Sequence, residues 1–443
     1  MLRDPMSGDH AGAVDGLPPG PRLPGPLQML RLVARPLAFL HSCERRYGRT
    51  FTVSFAPVGK VVYLADPAEV RAVFTGDAAT FHTGEARTPL ADVLGSRSLL
   101  LLDEDEHLRE RKLMLPPFHG ERLRTYEDAM TSITAAEVES IPRDRPAALR
   151  PHMQAITLDV ILRVVIGTRE PERLEPLRRA LSRLTGMHPI RILAATMLRR
   201  DLGPGSPWRT FVRIRDEADE LLYEEIARRR ARPGGDDMLS MLVEARDEDG
   251  HGLDDRALRD ELVTLLLAGH ETTATGLAWA FERLVRHPAA MARLRETLDA
   301  GDDTYLDAVI KETLRVRPVV LEVARHLMAP MEVAGYRLPA GTTVMSSVAL
   351  LQLSSDHWRE PAAFRPERFL AKPPDACTWI PFGGGVKRCL GASFALLEMR
   401  VVMRELLRRL DLAPARAEAE RGQVRHVTFC PARDGEVVAR ARA

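Results

Sequence analysis

No stretch of this 443-residue chain approaches eighteen uncharged apolar residues, so nothing in it reads as a membrane span. Net charge is nearly missing as well. The 63 Lys and Arg against 62 Asp and Glu leave +1, which gives no general pull towards nucleic acid or anionic lipid. The N-terminus lacks the basic-then-apolar pattern of a secretory leader. Cysteine is scarce: Cys43, Cys377, Cys389 and Cys430 form no C-x-x-C pair. That argues against a zinc site or a disulfide framework and for a reducing cytoplasm. Internal repeats are absent, and no linker is long enough to separate the chain into domains.

What remains has the composition of a globular protein, 45% hydrophobic and 28% charged. Residues 1–26 are rich in Gly and Pro and read as a flexible lead-in. Residues 27–443 read as one large domain, mainly α with small β-sheets. "TFTVSFAPVGKVVYL" (50–64) alternates around a Pro-Val-Gly turn and predicts a hairpin. From 66 to 320 the helical period dominates, broken at "LGPGSPW" and "ARPGGDD". "MEVAGYRLPAGTTVMSS" (331–347) reads as a second strand pair, and a last helix is expected over roughly 392–410.

Two stretches carry chemistry. The longest helical run starts at a cap near Asp254 and stops before Pro288, about 50 Å at 1.5 Å per residue. A rod of that length crosses a domain, yet its middle, "AGHETTATG" (268–276), is polar and glycine-containing. A carboxylate beside a hydroxyl there, Glu271 and Thr272, is a proton-handling arrangement, against the bland alternative of a solvated patch. The other stretch is "PFGGGVKRCLGASFA" (381–395), four glycines around one cysteine before a helix. It lacks the Lys-Ser/Thr of a phosphate loop. A helix start favours a thiolate at Cys389, and glycines let backbone approach the sulfur. A protein presents an axial cysteine to haem iron in this way. A buried structural cysteine is the alternative, but it leaves the glycines unexplained.

On these residues the chain resembles the cytochrome P450 family over roughly 17–435. Phe382, Gly385, Cys389 and Gly391 stand in the family's Phe-x-x-Gly-x-Arg-x-Cys-x-Gly. Lys387 departs from it, standing where Arg or His usually touches a haem propionate. The resemblance implies haem b with Cys389 as the axial, metal-binding thiolate, in a cradle that includes Phe382, Gly383, Lys387 and Gly391. His107 and Arg111 of "EHLRERK" and Arg325 of "LEVARHL" are implied propionate contacts. "AGHETT" carries the catalytic acid onto Glu271 and the hydroxyl onto Thr272. "KETLR" and "FRPERF" supply a structural cluster of Glu312, Arg315 and Arg368. By helical projection alone, Glu312 and Arg315 fall away from the Leu306, Ile310, Thr313 stripe, as a solvated pair would.

The implied activity is insertion of one oxygen atom from O2 into a hydrophobic small molecule: a fatty acid, terpenoid, steroid or polyketide. Leu267, Ala268, Leu321 and Val323 are the expected pocket residues, with 82–99 and a lid near 184–200. Arg87 or Arg97 would be the candidate to meet a substrate carboxylate. With no flavin or iron–sulfur segment attached, electrons are expected from a ferredoxin or flavodoxin with its NAD(P)H-dependent reductase. Arg109, Lys112, Arg122, Lys387 and Arg388 would form a basic docking patch. The expected protein is a cytoplasmic monomer that binds no nucleic acid. Other haem-thiolate chemistry (peroxygenase, isomerase, dehydratase) or a haem-based sensor is the alternative, and the Glu271-Thr272 pair speaks against it.

Overall fold

The computed structural model describes residues 14–55, 59–84, 90–186, 203, 206–371 and 373–442. Among the described residues helices predominate, beside four small sheets. The largest sheet has the order β2(Thr50–Phe55), β3(Gly59–Leu64), β9(Thr343–Ser347), β6(Glu322–Leu327), β4(Phe81–His82). Only the β3–β9 pairing in it is parallel. Both faces of β3 are buried, and strand alternation divides them. Val61 and Tyr63 pack with Phe51, Val53 and Trp279, while Val62 and Leu64 pack with Val70, Phe74 and Val344. The expected 50–64 hairpin is therefore present. The 331–347 stretch is not one strand pair: β7(Met331–Val333) and β8(Tyr336–Leu338) form their own sheet with β1(Val14–Asp15), and β9 joins the large one.

The lead-in is not loose from Val14 onward; residues 1–13 lie outside the described residues. Thr52 of β2 donates its backbone N–H to Pro19 O at 3.0 Å and its hydroxyl to Pro18 O at 2.7 Å. A side chain on Gly20 would meet Thr52 O at 1.9 Å, so glycine is what lets the two backbones lie together.

The central helix spans Asp255–Leu284, with Asp254 as its cap accepting the Ala257 N–H at 2.7 Å. It is buried on nearly every side, as a helix that crosses a domain must be. The helix Leu149–Val160 packs along it, and the helix Ala392–Arg409 crosses it where Gly276 faces Met399.

Behind the glycine loop lies a buried charged cluster. Glu312 and Arg315, on the helix Thr304–Val316, are both 0% exposed, so the solvated pair suggested by helical projection is wrong. Nearly all faces of that helix are covered, and the apolar stripe alone could not reveal it. Arg315 Nε and Nη2 grip the Glu312 carboxylate at 2.7 and 2.8 Å. Its remaining N–H groups go to the carbonyls of Gln352, Pro361 and Ala363 at 2.8, 2.8 and 3.1 Å. Arg368 Nε and the Arg365 N–H complete Glu312 at 3.3 and 2.8 Å. Removing the carboxylate strands a buried guanidinium, so Glu312→Ala should cost about 3–5 kcal/mol. Denaturant unfolding and haem content of the purified protein measure this. Wild-type values for both would contradict the structural role.

Candidate functional site

Four cysteines are present and one is accessible. Cys43, Cys377 and Cys430 are buried, and Cys389 is exposed. Cys377 sits in a turn, its N–H on the Asp375 carboxylate at 2.9 Å. Cys389 lies where the glycine loop closes, its own N–H donated to Phe382 O at 2.9 Å. Burial pushes its thiol up, while the Gly391 N–H, Arg388 and Arg111 pull it the other way. The sulfur is thus deep in the molecule yet open on one side.

The glycines have separate reasons. Gly383 and Gly385 take φ of +66° and +67°, where a side chain is strained. At Gly384 and Gly385 an added Cβ would meet Phe74, the ring at 2.2 Å and the carbonyl oxygen at 2.0 Å. Gly391 has open space around it. The close approach is therefore to Phe74, not to the sulfur as the sequence suggested. Phe382 is braced edge-on by Trp379, whose indole N–H reaches Lys311 O at 3.2 Å.

Cations gather beside this loop. Arg325 of β6 donates to Gly384 O at 3.4 Å and lies over the Phe74 ring. His107 and Arg111 come from the helix Glu104–Met114. Burial, then Lys387 and Arg111, push His107 down to about 3, so it is neutral. Burial likewise lowers Arg111, whose side chain makes no hydrogen bond or ion pair among the described residues. An accessible cysteine sulfur, a half-buried unpaired guanidinium and neighbouring cations suit an iron porphyrin with two carboxylates, so the residues fit a haem.

Lys387 behaves differently from its neighbours. Its ammonium pairs with Asp103 at 2.8 Å and also reaches Leu102 O. Asp103 precedes the helix Glu104–Met114 but does not cap it. It accepts instead from the Thr83 and Gly84 N–H groups at 2.9 and 2.8 Å. Burial opposes the charge of Asp103, but Lys387 and those donors hold its carboxyl below the ordinary range. Lys387 therefore ties the cysteine loop to the 83–84 segment. No sequence signal distinguished Asp103 from a helix cap.

In the middle of the central helix, Leu265, Leu267, Ala268, Gly269, Glu271 and Thr272 are at least partly accessible. Leu265, Ala268, Gly269 and Thr272, at spacings of three, four and seven, share one face, with Leu267 and Glu271 on other sides. The Thr272 hydroxyl bonds back to Ala268 O at 2.6 Å, as expected of a threonine opening a helix groove. Gly269 is not closely approached, since a Cβ there would only touch Ile161 at 3.6 Å. Glu271 is committed on both oxygens: Oε1 to Arg150, Oε2 to the Gln154 side chain at 2.7 Å. Arg150 also pairs with Asp434 at 3.1 Å. Arg150 and Gln154 lie one turn apart on the neighbouring helix, a partnership that exists only in three dimensions.

Of the expected pocket residues, Leu267 packs with Val93, Phe211, Trp208 and Val212, and Val323 lies next to Gly383. Ala268 is exposed. Leu321 sits in the core cluster with Trp279, Tyr63 and Phe51. Arg97 is held by Glu110 at 2.5 Å and is not free to meet a substrate carboxylate. Arg87 and most of the expected lid lie outside the described residues. The expected basic patch is thinned: Arg109 pairs with Asp247 at 2.6 Å and Lys112 with Glu248 at 3.5 Å. Lys387 is taken by Asp103, which leaves Arg122 and Arg388 as its exposed, unpaired members among the described residues.

Three buried titratable groups give a pH prediction. Burial raises Glu398, beside Thr273, to about 8 and Glu322, beside Tyr63, to about 7, from an ordinary 4.5. The folded state then holds protons that the unfolded chain has released. That contribution is complete below the ordinary value and is lost as pH rises through 7 to 8. His270, lowered to about 4 by burial, has the opposite sign: its contribution is present above 6.5 and lost as pH falls towards 4. The two windows overlap between 4.5 and 6.5, where two carboxyls outweigh one imidazole, so their joint contribution to thermal stability should fall as pH rises from 4.5 to 8. The Glu322→Gln, Glu398→Gln double variant should flatten the alkaline fall, and an unchanged fall would contradict the assignment.

The chain is similar to known proteins along nearly its whole length. The family model described as "Cytochrome P450" matches residues 18–426. A relative in Mycobacterium tuberculosis, "Putative cytochrome P450 135B1", is 47% identical over 435 residues, covering 96% of this chain and 92% of that protein. "Putative cytochrome P450 137" of the same species is 39% identical over 439 residues, covering 97% and 92%. Among solved structures, "Retinoic acid bound cyanobacterial CYP120A1" superposes with a TM-score of 0.81 at 25% identity, covering 96% and 99%. The haem domain of cytochrome P450DA gives 0.84 at 23%, covering 98% and 99%, a likeness of fold.

Proposed function

The chain belongs to the cytochrome P450 family of haem-thiolate monooxygenases, and from that premise we propose the parts its own residues play. Cys389 is the sulfur that holds the haem. One observation carries this: it is the only exposed cysteine, at the close of a loop in which the fold requires Gly383, Gly384 and Gly385. His107, Arg111 and Arg325 hold the propionates. Lys387 supports them from its pair with Asp103 rather than as a free donor.

When bound, the haem supplies the activation of O2 from which one oxygen atom passes to the substrate. The protein's task is then to place protons and exclude bulk water. Thr272 presents its hydroxyl from the accessible face of the central helix, with its own proton donated to Ala268 O. It is left as an acceptor that can hold a water in place. Glu271 is the group that moves a proton inward, and it must leave Arg150 or Gln154 to do so. The Arg150–Asp434 pair gives the guanidinium a second anion to rest on while Glu271 is away.

The substrate is a hydrophobic small molecule. Support comes from the Leu265, Ala268, Thr272 face, from the neighbouring Val93, Phe211 and Leu267, and from the lack of a free cation at Arg97. The similar cyanobacterial protein was solved with retinoic acid bound, a molecule that is apolar apart from its carboxyl group. Electrons arrive from a separate ferredoxin or flavodoxin and its NAD(P)H-dependent reductase. With Arg122 and Arg388 as the unpaired cations, salt should weaken docking only modestly.

Replacing Thr272 by Ala removes the acceptor without touching the haem pocket's charges. The variant should bind hydrophobic ligands normally but divert electrons into hydrogen peroxide, lowering product formed per nicotinamide oxidised several-fold. Wild-type coupling in Thr272→Ala would mean that protons travel by another route.

A further inference from the structure

The segment from Leu94 to Leu99 is fastened along the first turns of the central helix by side chains of that helix. Arg259 Nη1 donates to Leu94 O at 3.3 Å, and Arg256 Nη2 to Ser96 Oγ at 3.0 Å. The Arg97 N–H goes to Asp260 Oδ2 at 2.9 Å and the Leu99 N–H to Glu261 Oε1 at 2.6 Å. Between them the hydroxyls of Ser98 and Thr264 share a hydrogen bond at 2.7 Å. Gly95 takes a φ of +86°, and a Cβ there would overlap the Asp260 carboxylate at 2.0 Å. From the other side, Arg97 reaches Glu110 of the helix Glu104–Met114.

This fastening is built around buried carboxyls. Glu261 is 0% exposed and Glu110 1%. Oε2 of each, and Nε of Arg97, are buried without a hydrogen-bond partner. Glu261 also begins a face. Residues 261, 265, 268 and 272 recur at helical spacing, so the accessible stripe of the site starts one turn past this carboxyl. The 94–99 segment therefore closes the N-terminal end of the stripe on which a substrate would lie.

We propose that Asp260 and Glu261, backed by Glu110, are positioning residues that latch the 94–99 segment as one wall of the substrate pocket, and that the Glu261–Leu99 bond is the tie whose release opens it. The functional meaning rests on the haem-thiolate reading of the site, while the latch itself rests on these contacts alone. Such a wall sets which hydrophobic molecules enter and how fast they exchange.

The latch also responds to protons. Burial, then the neighbouring Glu110 and Asp260, raise Glu261 well above the ordinary carboxyl range, while the Leu99 N–H and Arg97 oppose the rise. Glu110 is raised by burial and by Asp254, against Arg97 and Arg109. Arg259, paired with Asp260 and Asp219, completes the charges. Ionising Glu261 would place a third carboxylate in this dry cluster. Releasing the segment admits water to it, so rising pH favours the open wall.

The test is hydrogen exchange at the Arg97 and Leu99 amides in the haem-loaded protein, corrected for intrinsic exchange. The second readout is the association and dissociation of 4-phenylimidazole, followed in the Soret band. Glu261→Leu leaves the Leu99 N–H without an acceptor, so exchange at Leu99 and probe release should both accelerate about tenfold. Glu261→Gln keeps an acceptor but cannot ionise. It should match the wild type near neutral pH and lose the wild type's acceleration as pH rises. Should Glu261→Leu fail to load haem, the Ser98→Ala, Thr264→Val pair removes the adjoining tie and should act in the same direction. Wild-type amide exchange and probe rates in these variants would overturn the latch. A pH response kept by Glu261→Gln would overturn the role of its proton. The carbon monoxide spectrum of the same samples reports the haem-thiolate reading separately, so failure of one is distinguishable from failure of the other.

Discussion

All five N–H groups of the Arg315 guanidinium are spent in the interior, two on Glu312 and three on the main-chain carbonyls of Gln352, Pro361 and Ala363. A fully buried charge survives only when it is paired and every donor is met, and here that condition shapes three separate segments of chain. The consequence reaches the site through Gln352. Its side chain donates to Leu314 O at 2.9 Å and accepts the Ile380 N–H at 3.0 Å, just before Phe382. Beside it runs a file of rings, Trp358, Phe369, Trp379 and Phe382, with Arg315 over the first. The charged cluster thus fixes the start of the glycine loop, and the Cys389 N–H to Phe382 O bond closes it.

A second constraint works along the central helix. Glu271 is tied to the neighbouring helix, and Glu398 of the cysteine helix is buried against Thr273 one position past Thr272. The turn that carries Glu271 and Thr272 is therefore gripped from two sides, while the Leu265, Ala268, Thr272 face stays open between them. Burial that would penalise a free carboxylate is offset at Glu271 by Arg150, and at Glu398 by retention of a proton.

Local features were legible in the sequence, and shared ones were not. The capped central helix, the 50–64 hairpin and the cysteine at a loop-to-helix junction each follow from neighbouring residues, and each is present. The burial of Glu312 and Arg315 was invisible to helical projection, because partners from 352–368 cover the face that carries no apolar stripe. The same limit applies to Lys387. It stands where Arg or His usually touches a propionate, and its pairing with Asp103, nearly three hundred residues away in sequence, has no local signal. Phe74 accounts for two of the loop glycines and carries no motif of its own. Residues whose role is to meet a distant partner leave no local period to read.

The central claim is that one sulfur, Cys389, defines the site. The carbon monoxide complex of the reduced protein reports whether a thiolate holds the haem, through its long-wavelength Soret band. Measured on Cys389→His beside Cys377→Ser and Cys430→Ser, that band should vanish in the first and persist in the other two. A thiolate band kept by Cys389→His, or lost in Cys377→Ser with haem still bound, would contradict the account.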